Sequence, residues 1–189
     1  MKHLITLHDA FFGTLSRALA PWFLPTLARF TFAATLLIYF WNSARLKLGE
    51  GLGGLFRPSG GAYAQIFPRA FENAGYDESA LSFWHWAVTL LGTWAEFILP
   101  ALLVLGLLTR LAALGMIGFV IVQTLTDLYG HGVIDAPETL GAWFDRLPDA
   151  AILDQRLLWI TILAIPLLQG AGPLSLDRLL KYRSARPPS

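Results

Sequence analysis

The chain contains no cysteine. That absence excludes thiol–disulfide exchange, Cys-ligated iron–sulfur clusters and Cys-attached haem. Methionine is nearly as scarce, with two in 189 residues, which argues against a methionine-rich copper relay. Charge is thin as well. Lys, Arg, Asp and Glu make up 14% of the chain, where a soluble domain carries about 25%, and the formal net charge is +1. No bulk basic signal points to nucleic acid. Phosphate-binding glycine patterns, nucleophile elbows and zinc-protease helices are missing, and so are internal repeats and low-complexity tracts. What is abundant is apolar: 55% hydrophobic residues and a mean hydropathy of +0.54. This is the composition of a small integral membrane protein, expected to form one domain over residues 1–189.

Four apolar stretches, 22–41, 87–108, 111–129 and 156–174, are expected to cross the bilayer. The second would span about 33 Å at helical rise, against a hydrocarbon core of about 30 Å. Trp22 and Trp41 bound the first, as an interfacial belt would, and Pro166 in the fourth predicts a kink. The first 21 residues do not read as a signal peptide, because His8, Asp9 and Arg17 interrupt their apolar run. Leu4, Leu7, Phe11, Leu15 and Ala18 instead recur at three- and four-residue steps. That spacing predicts an amphipathic helix, either in the membrane interface or packed on the bundle. The connection 42–86 is expected to form a partly structured extramembrane cap with short helices within 63–76, and 130–154 a second, acidic extramembrane segment. The expected fold is all-α: an integral membrane four-helix bundle with an N-terminal amphipathic helix and an extramembrane cap. With four spans, both termini share a side with Lys2, Arg17, Arg110, Arg178, Lys181, Arg183 and Arg186. The positive-inside rule then places both termini in the cytoplasm.

Glu96 lies within the second apolar stretch. An acid there costs about 2.5–3.5 kcal/mol on insertion scales, so it should face protein and find a partner. Counting helical rise, Glu96 lies about 14 Å from one membrane face, Gln123 about 18 Å and Arg29 about 10 Å from the other. These depths predict a buried Arg29–Glu96–Gln123 cluster, serving either as a functional centre or as polar glue between helices. Nearer the outer mouth, His85, Asp127 and His131 share a level. Two imidazoles and a carboxylate there suit a metal, a proton or a quinone head group, unless the two histidines never meet; no metal is assigned. Trp94 is expected to face lipid or a neighbouring helix.

Three segments carry a family resemblance. Arg29 is followed, after its span, by Ser43-Ala44-Arg45-Leu46-Lys47. Glu96 leads through a leucine-rich run to Gly106, Thr109, Arg110 and Ala113 in the spacing Gly-x-x-Thr-Arg-x-x-Ala. Gly170, Gly172, Ser175 and Asp177 follow Gly-x-Gly-x-x-Ser-x-Asp. In order, these resemble the DoxX family of small bacterial four-span membrane proteins. Ala44 stands where the family tends to have glycine, and the first connection is longer than usual. The resemblance implies a bacterial inner-membrane protein. It implies an accessory subunit of a quinone-linked or stress-response redox system, with quinone as the candidate cofactor. Expected partners are lipid and membrane or periplasmic proteins, and not nucleic acid. Proton- or metal-linked transport and a non-catalytic scaffold are the alternatives. No residue of this chain takes a catalytic role from the resemblance.

Overall fold

The computed structural model describes residues 1–184, so Arg186 of the basic tail lies outside the described residues. Helix α1 (Lys2–Leu19) buries none of its residues. Leu4, Leu7, Phe11 and Leu15 form an exposed stripe, so α1 is not packed on the bundle.

Helix α2 (Phe23–Lys47) is continuous through a π-helical turn at Ala33–Leu37. Pro25 lies in its first turn, where a missing N–H breaks no helical bond. The helix runs on past Trp41 to Lys47, so the tryptophan does not mark its end. The glycine-rich stretch that follows folds tightly on itself: the Gly49 amide donates to the carbonyls of Gly54 and Arg57. A β-carbon on Gly54 would overlap Gly49. Two short helices, α3 (Gly60–Ile66) and α4 (Pro68–Asn73), complete the cap. Indole N–H groups fasten its leading edge to the bundle. Trp86 donates to the Phe56 carbonyl and Trp94 to that of Leu55, so Trp94 faces the cap loop rather than lipid or a bundle helix.

Helix α5 (Phe83–Leu105) begins at a capping box in which Ser82 and His85 satisfy each other's turn. It ends at Gly106, whose φ of 68° is left-handed. Helix α6 (Thr109–Gly130) follows at once, so the two are antiparallel neighbours. The segment 131–152 is irregular apart from short turns at Val133–Asp135 and Pro137–Leu140. Helix α7 (Leu153–Gln169) then packs against α2 and α6, and α8 (Leu176–Ser184) closes the described chain.

Helices α2, α5 and α6 are long and apolar enough to cross a membrane. Helix α7 has 17 residues, about 25 Å against a core of about 30 Å. It starts before the expected 156–174 and stops earlier, because Gly170 and Gly172 adopt positive φ and end it. Phe32, Phe40, Leu103, Met116, Val120 and Leu163 form the packed centre of α2, α5, α6 and α7. The bundle thus has a cap end, where α2 and α6 finish and α5 and α7 begin. At the opposite, terminal end lie α1, the α5–α6 turn and α8. Among the described residues there is no strand, only an isolated bridge between Leu48 and Pro58.

Candidate functional site

Two charged centres occupy the cap half of the bundle. The first is built on α2 and α5. Ser43 and Lys47 are four residues apart, so they share a helix face. Lys47 Nζ donates to both carboxylate oxygens of Glu96 at 2.8 Å and to Ser43 Oγ at 2.6 Å, while the Ser43 hydroxyl donates to Glu96 at 3.3 Å. Only 5% of Lys47 and 3% of Glu96 is exposed. Two opposite charges sharing hydrogen bonds can remain in a low-dielectric interior where either alone would not.

The second centre joins α6 and α7. Arg156 donates to Gln123 Oε1 at 3.0 Å and to Asp127 Oδ2 at 3.1 Å. Its guanidinium carbon lies 4.2 Å from the centre of the Trp159 ring, a cation–π arrangement. Gln123 donates in turn to the Tyr39 hydroxyl at 3.1 Å. Asp127 sits in a π-helical turn at Thr126–Gly130. Arg156 is buried, and its Nε–H has no acceptor among the described residues.

A cavity of about 580 Å³ lies between these centres and touches both. Helices α5 and α6 approach closely where Gly115 faces Leu99, since a β-carbon there would lie 3.0 Å from the leucine. Gly118, one turn nearer the cap, faces open space, and the cavity opens there. Leu91 and Val122 line it and are themselves strongly exposed. The opening therefore faces sideways, within the apolar lengths of α5 and α6.

The Arg29–Glu96–Gln123 cluster expected from depth does not form. Glu96 and Gln123 line one cavity from different helices, but each has other partners. Arg29 points to the terminal end. Its guanidinium donates to the carbonyls of Leu103 (2.9 Å), Ala171 and Leu174 (2.7 Å each) and Val104 (2.5 Å). Leu103 and Val104 belong to the last turn of α5, where carbonyls run short of helical donors; the Gly106 amide reaches only that of Leu103, and the five-donor guanidinium supplies the rest. The same end is tied by Asp177, which accepts from the amides of Leu108 and Thr109 and from the Thr109 hydroxyl. Burial pushes the Asp177 carboxyl up, but these hydrogen bonds and the Lys181 charge outweigh it and hold the group below its ordinary value.

Of the three outer residues, Asp127 and His131 line the cavity, and the His131 ring donates to the Gln65 carbonyl at 2.9 Å. His85 is elsewhere. It caps α5 through Ser82 and sits edge-on against Phe67. Among the described residues, no group of three His, Asp or Glu side chains could hold a metal.

A family model described as DoxX matches residues 24–127, more than half of the chain. The chain belongs to the DoxX family. No curated protein and no solved structure matches it. In this DoxX-family chain, Ser43 and Lys47, in the last turns of α2, complete the Glu96 centre. Arg29, Gly106, Thr109 and Asp177 all meet at the terminal end. The site residues missed from sequence are Tyr39, Ser43, Lys47 and Arg156. The first three recur at four-residue steps, a signal that would have placed them on one face had α2 been extended past Trp41.

Proposed function

We propose that this DoxX-family membrane protein is an accessory subunit of a quinone-linked redox system, and that the sideways cavity receives the quinone head group. The observation that carries this reading is the cavity itself: lined at its mouth by exposed apolar side chains of two helices apolar enough to cross a membrane, and charged at its floor. Its volume falls within the roughly 300–1,000 Å³ of small-molecule sites. A membrane-dissolved ring with carbonyl acceptors matches that gradient. Its apolar part would lie along Leu91, Leu99 and Val122, and an acceptor would meet the buried Nε–H of Arg156, which is left without a partner. The quinone would supply two-electron carriage. The chain's own residues would bind and orient it, with Gln123, Asp127 and Trp159 fixing the Arg156 guanidinium. The electron donor would be a membrane or periplasmic partner protein. In this reading the chain sits in a bacterial inner membrane as one four-span domain, α7 included, with both termini cytoplasmic.

Thermal unfolding of the detergent-purified protein with a short-tailed benzoquinone tests the proposal. The wild type should gain stability with quinone concentration, as any ligand that binds only the folded state confers. Gly118→Phe should fold normally, because nothing lies within 4 Å of the position its β-carbon would take, and should lose the gain. Equal protection of both proteins, or of neither, would sink the quinone reading; no protection at all would favour a scaffold role.

A further inference from the structure

At the terminal end, a groove of about 680 Å³ runs between the start of α6, the 169–173 connection and α8. Three cations line it from two elements: Arg110 on α6, and Arg178 and Lys181 one turn apart on α8. Arg110 is held in place by a 3.1 Å hydrogen bond to the Leu168 carbonyl. Among the described residues, neither Arg178 nor Lys181 forms an ion pair. The groove's acid, Asp177, is engaged with the Leu108 and Thr109 amides and with the Lys181 charge, which leaves Arg110 and Arg178 without a countercharge in the groove. The groove therefore holds more positive than negative charge. It also borders apolar surface: Leu108 and Leu111 line it, and they and Leu168 and Leu174 are all exposed. It lies at the first turn of a helix apolar enough to cross a membrane, the level at which lipid phosphates sit.

We propose that this groove binds the phosphodiester of an anionic phospholipid. The phosphate would lie among Arg110, Arg178 and Lys181, and the acyl chains would follow Leu111 and Leu168. Cations clustered beside a spanning helix attract anionic head groups. A zwitterionic lipid offers the same phosphate but brings its own cation against these three. Free inorganic phosphate would satisfy the cations and leave the leucines unused. The proposal does not depend on the quinone reading, since the groove is at the other end of the bundle.

The test is native mass spectrometry of the full chain released from mixed micelles containing phosphatidylglycerol, phosphatidylcholine or inorganic phosphate. The wild type should retain phosphatidylglycerol in preference to phosphatidylcholine, and millimolar phosphate should not displace it. Arg178→Gln/Lys181→Gln should weaken that retention roughly 10–30-fold, the loss expected for two cations near a membrane surface. Arg146→Gln, which removes a charge far from the groove, should leave it unchanged. Equal retention of both lipids overturns the proposal, as does equal retention by the double variant and Arg146→Gln. Displacement by free phosphate overturns the lipid as the source. Should the double variant not fold, a photoreactive phosphatidylglycerol on the wild type decides: crosslinks within 108–111 and 174–181 support the site, and crosslinks elsewhere overturn it.

Discussion

Lys47 and Glu96 are buried in the same ion pair, and neither has another charged partner within reach among the described residues. The energetics of such pairs are asymmetric. Removing one partner strands a charge, at a cost of about 3–5 kcal/mol, whereas replacing both with apolar groups of similar size is close to neutral. Glu96→Gln should therefore lower thermal stability in detergent steeply, whereas Glu96→Met combined with Lys47→Met should lose much less. A double variant as unstable as the single one would show that the pair holds more than its own charges. Asp177 gives a pH signature outside the spans. Its folded pKa is depressed, so its stabilising effect is present above the ordinary carboxylate pKa of about 4 and is lost as pH falls through the lower folded value. Asp177→Ala should destabilise by about 1–2 kcal/mol at neutral pH, as loss of an N-cap does. That gap should narrow as pH falls below the ordinary carboxylate range, in unfolding experiments across a pH series. Glu96 was legible in the sequence because an acid in an apolar run demands a partner. Lys47 was not, because a lysine beyond a belt tryptophan reads as a loop charge, and only the continued helix turns it inward.

The elements are joined at the terminal end by contacts that sequence periodicity does not encode. Arg29 bonds carbonyls 74 and 142 positions further along the chain. The family motifs could be seen, but their meeting could not. Gly106 is where this end is tightest. Its φ is 68°, and a β-carbon there would lie 2.6 Å from Ser175 Cβ and 2.8 Å from Arg29 Cζ. A left-handed non-glycine residue costs about 1–2 kcal/mol and overpacking about 1–3. Gly106→Ala should thus destabilise by roughly 2–5 kcal/mol, while Gly118→Ala, in open space within a helix, should be neutral or slightly stabilising. Thermal melts of the two alanine variants side by side check both. Helix lengths were legible from hydropathy to within a few residues for α5 and α6. The end of α7 is not, because hydropathy carries no sign that Gly170 and Gly172 take positive φ and stop the helix.

At the scale of the whole molecule, the charges at each end of the bundle decide which side it faces. Against cytoplasmic termini stand the cations of the 42–86 connection, above all Arg45 and Lys47, which follow the first apolar stretch closely. The structure places both within α2 and neutralises Lys47 with Glu96, so Lys47 no longer counts as a loop charge. Across the bundle, Lys2, Arg17, Arg110, Arg178, Lys181 and Arg183 remain at the terminal end, short of long connections, where the positive-inside rule has most force. The absence of cysteine makes the test clean, since any introduced thiol is unique. Ser79→Cys, exposed in the cap, should react with a membrane-impermeant maleimide in spheroplasts that keep the inner membrane intact. Ser184→Cys, at the end of α8, should react only after that membrane is opened. If both react in intact spheroplasts, α7 does not cross and the chain has three spans. If the pattern is reversed, the terminal end faces outward, and the cationic groove would meet the outer leaflet instead of the cytoplasmic one.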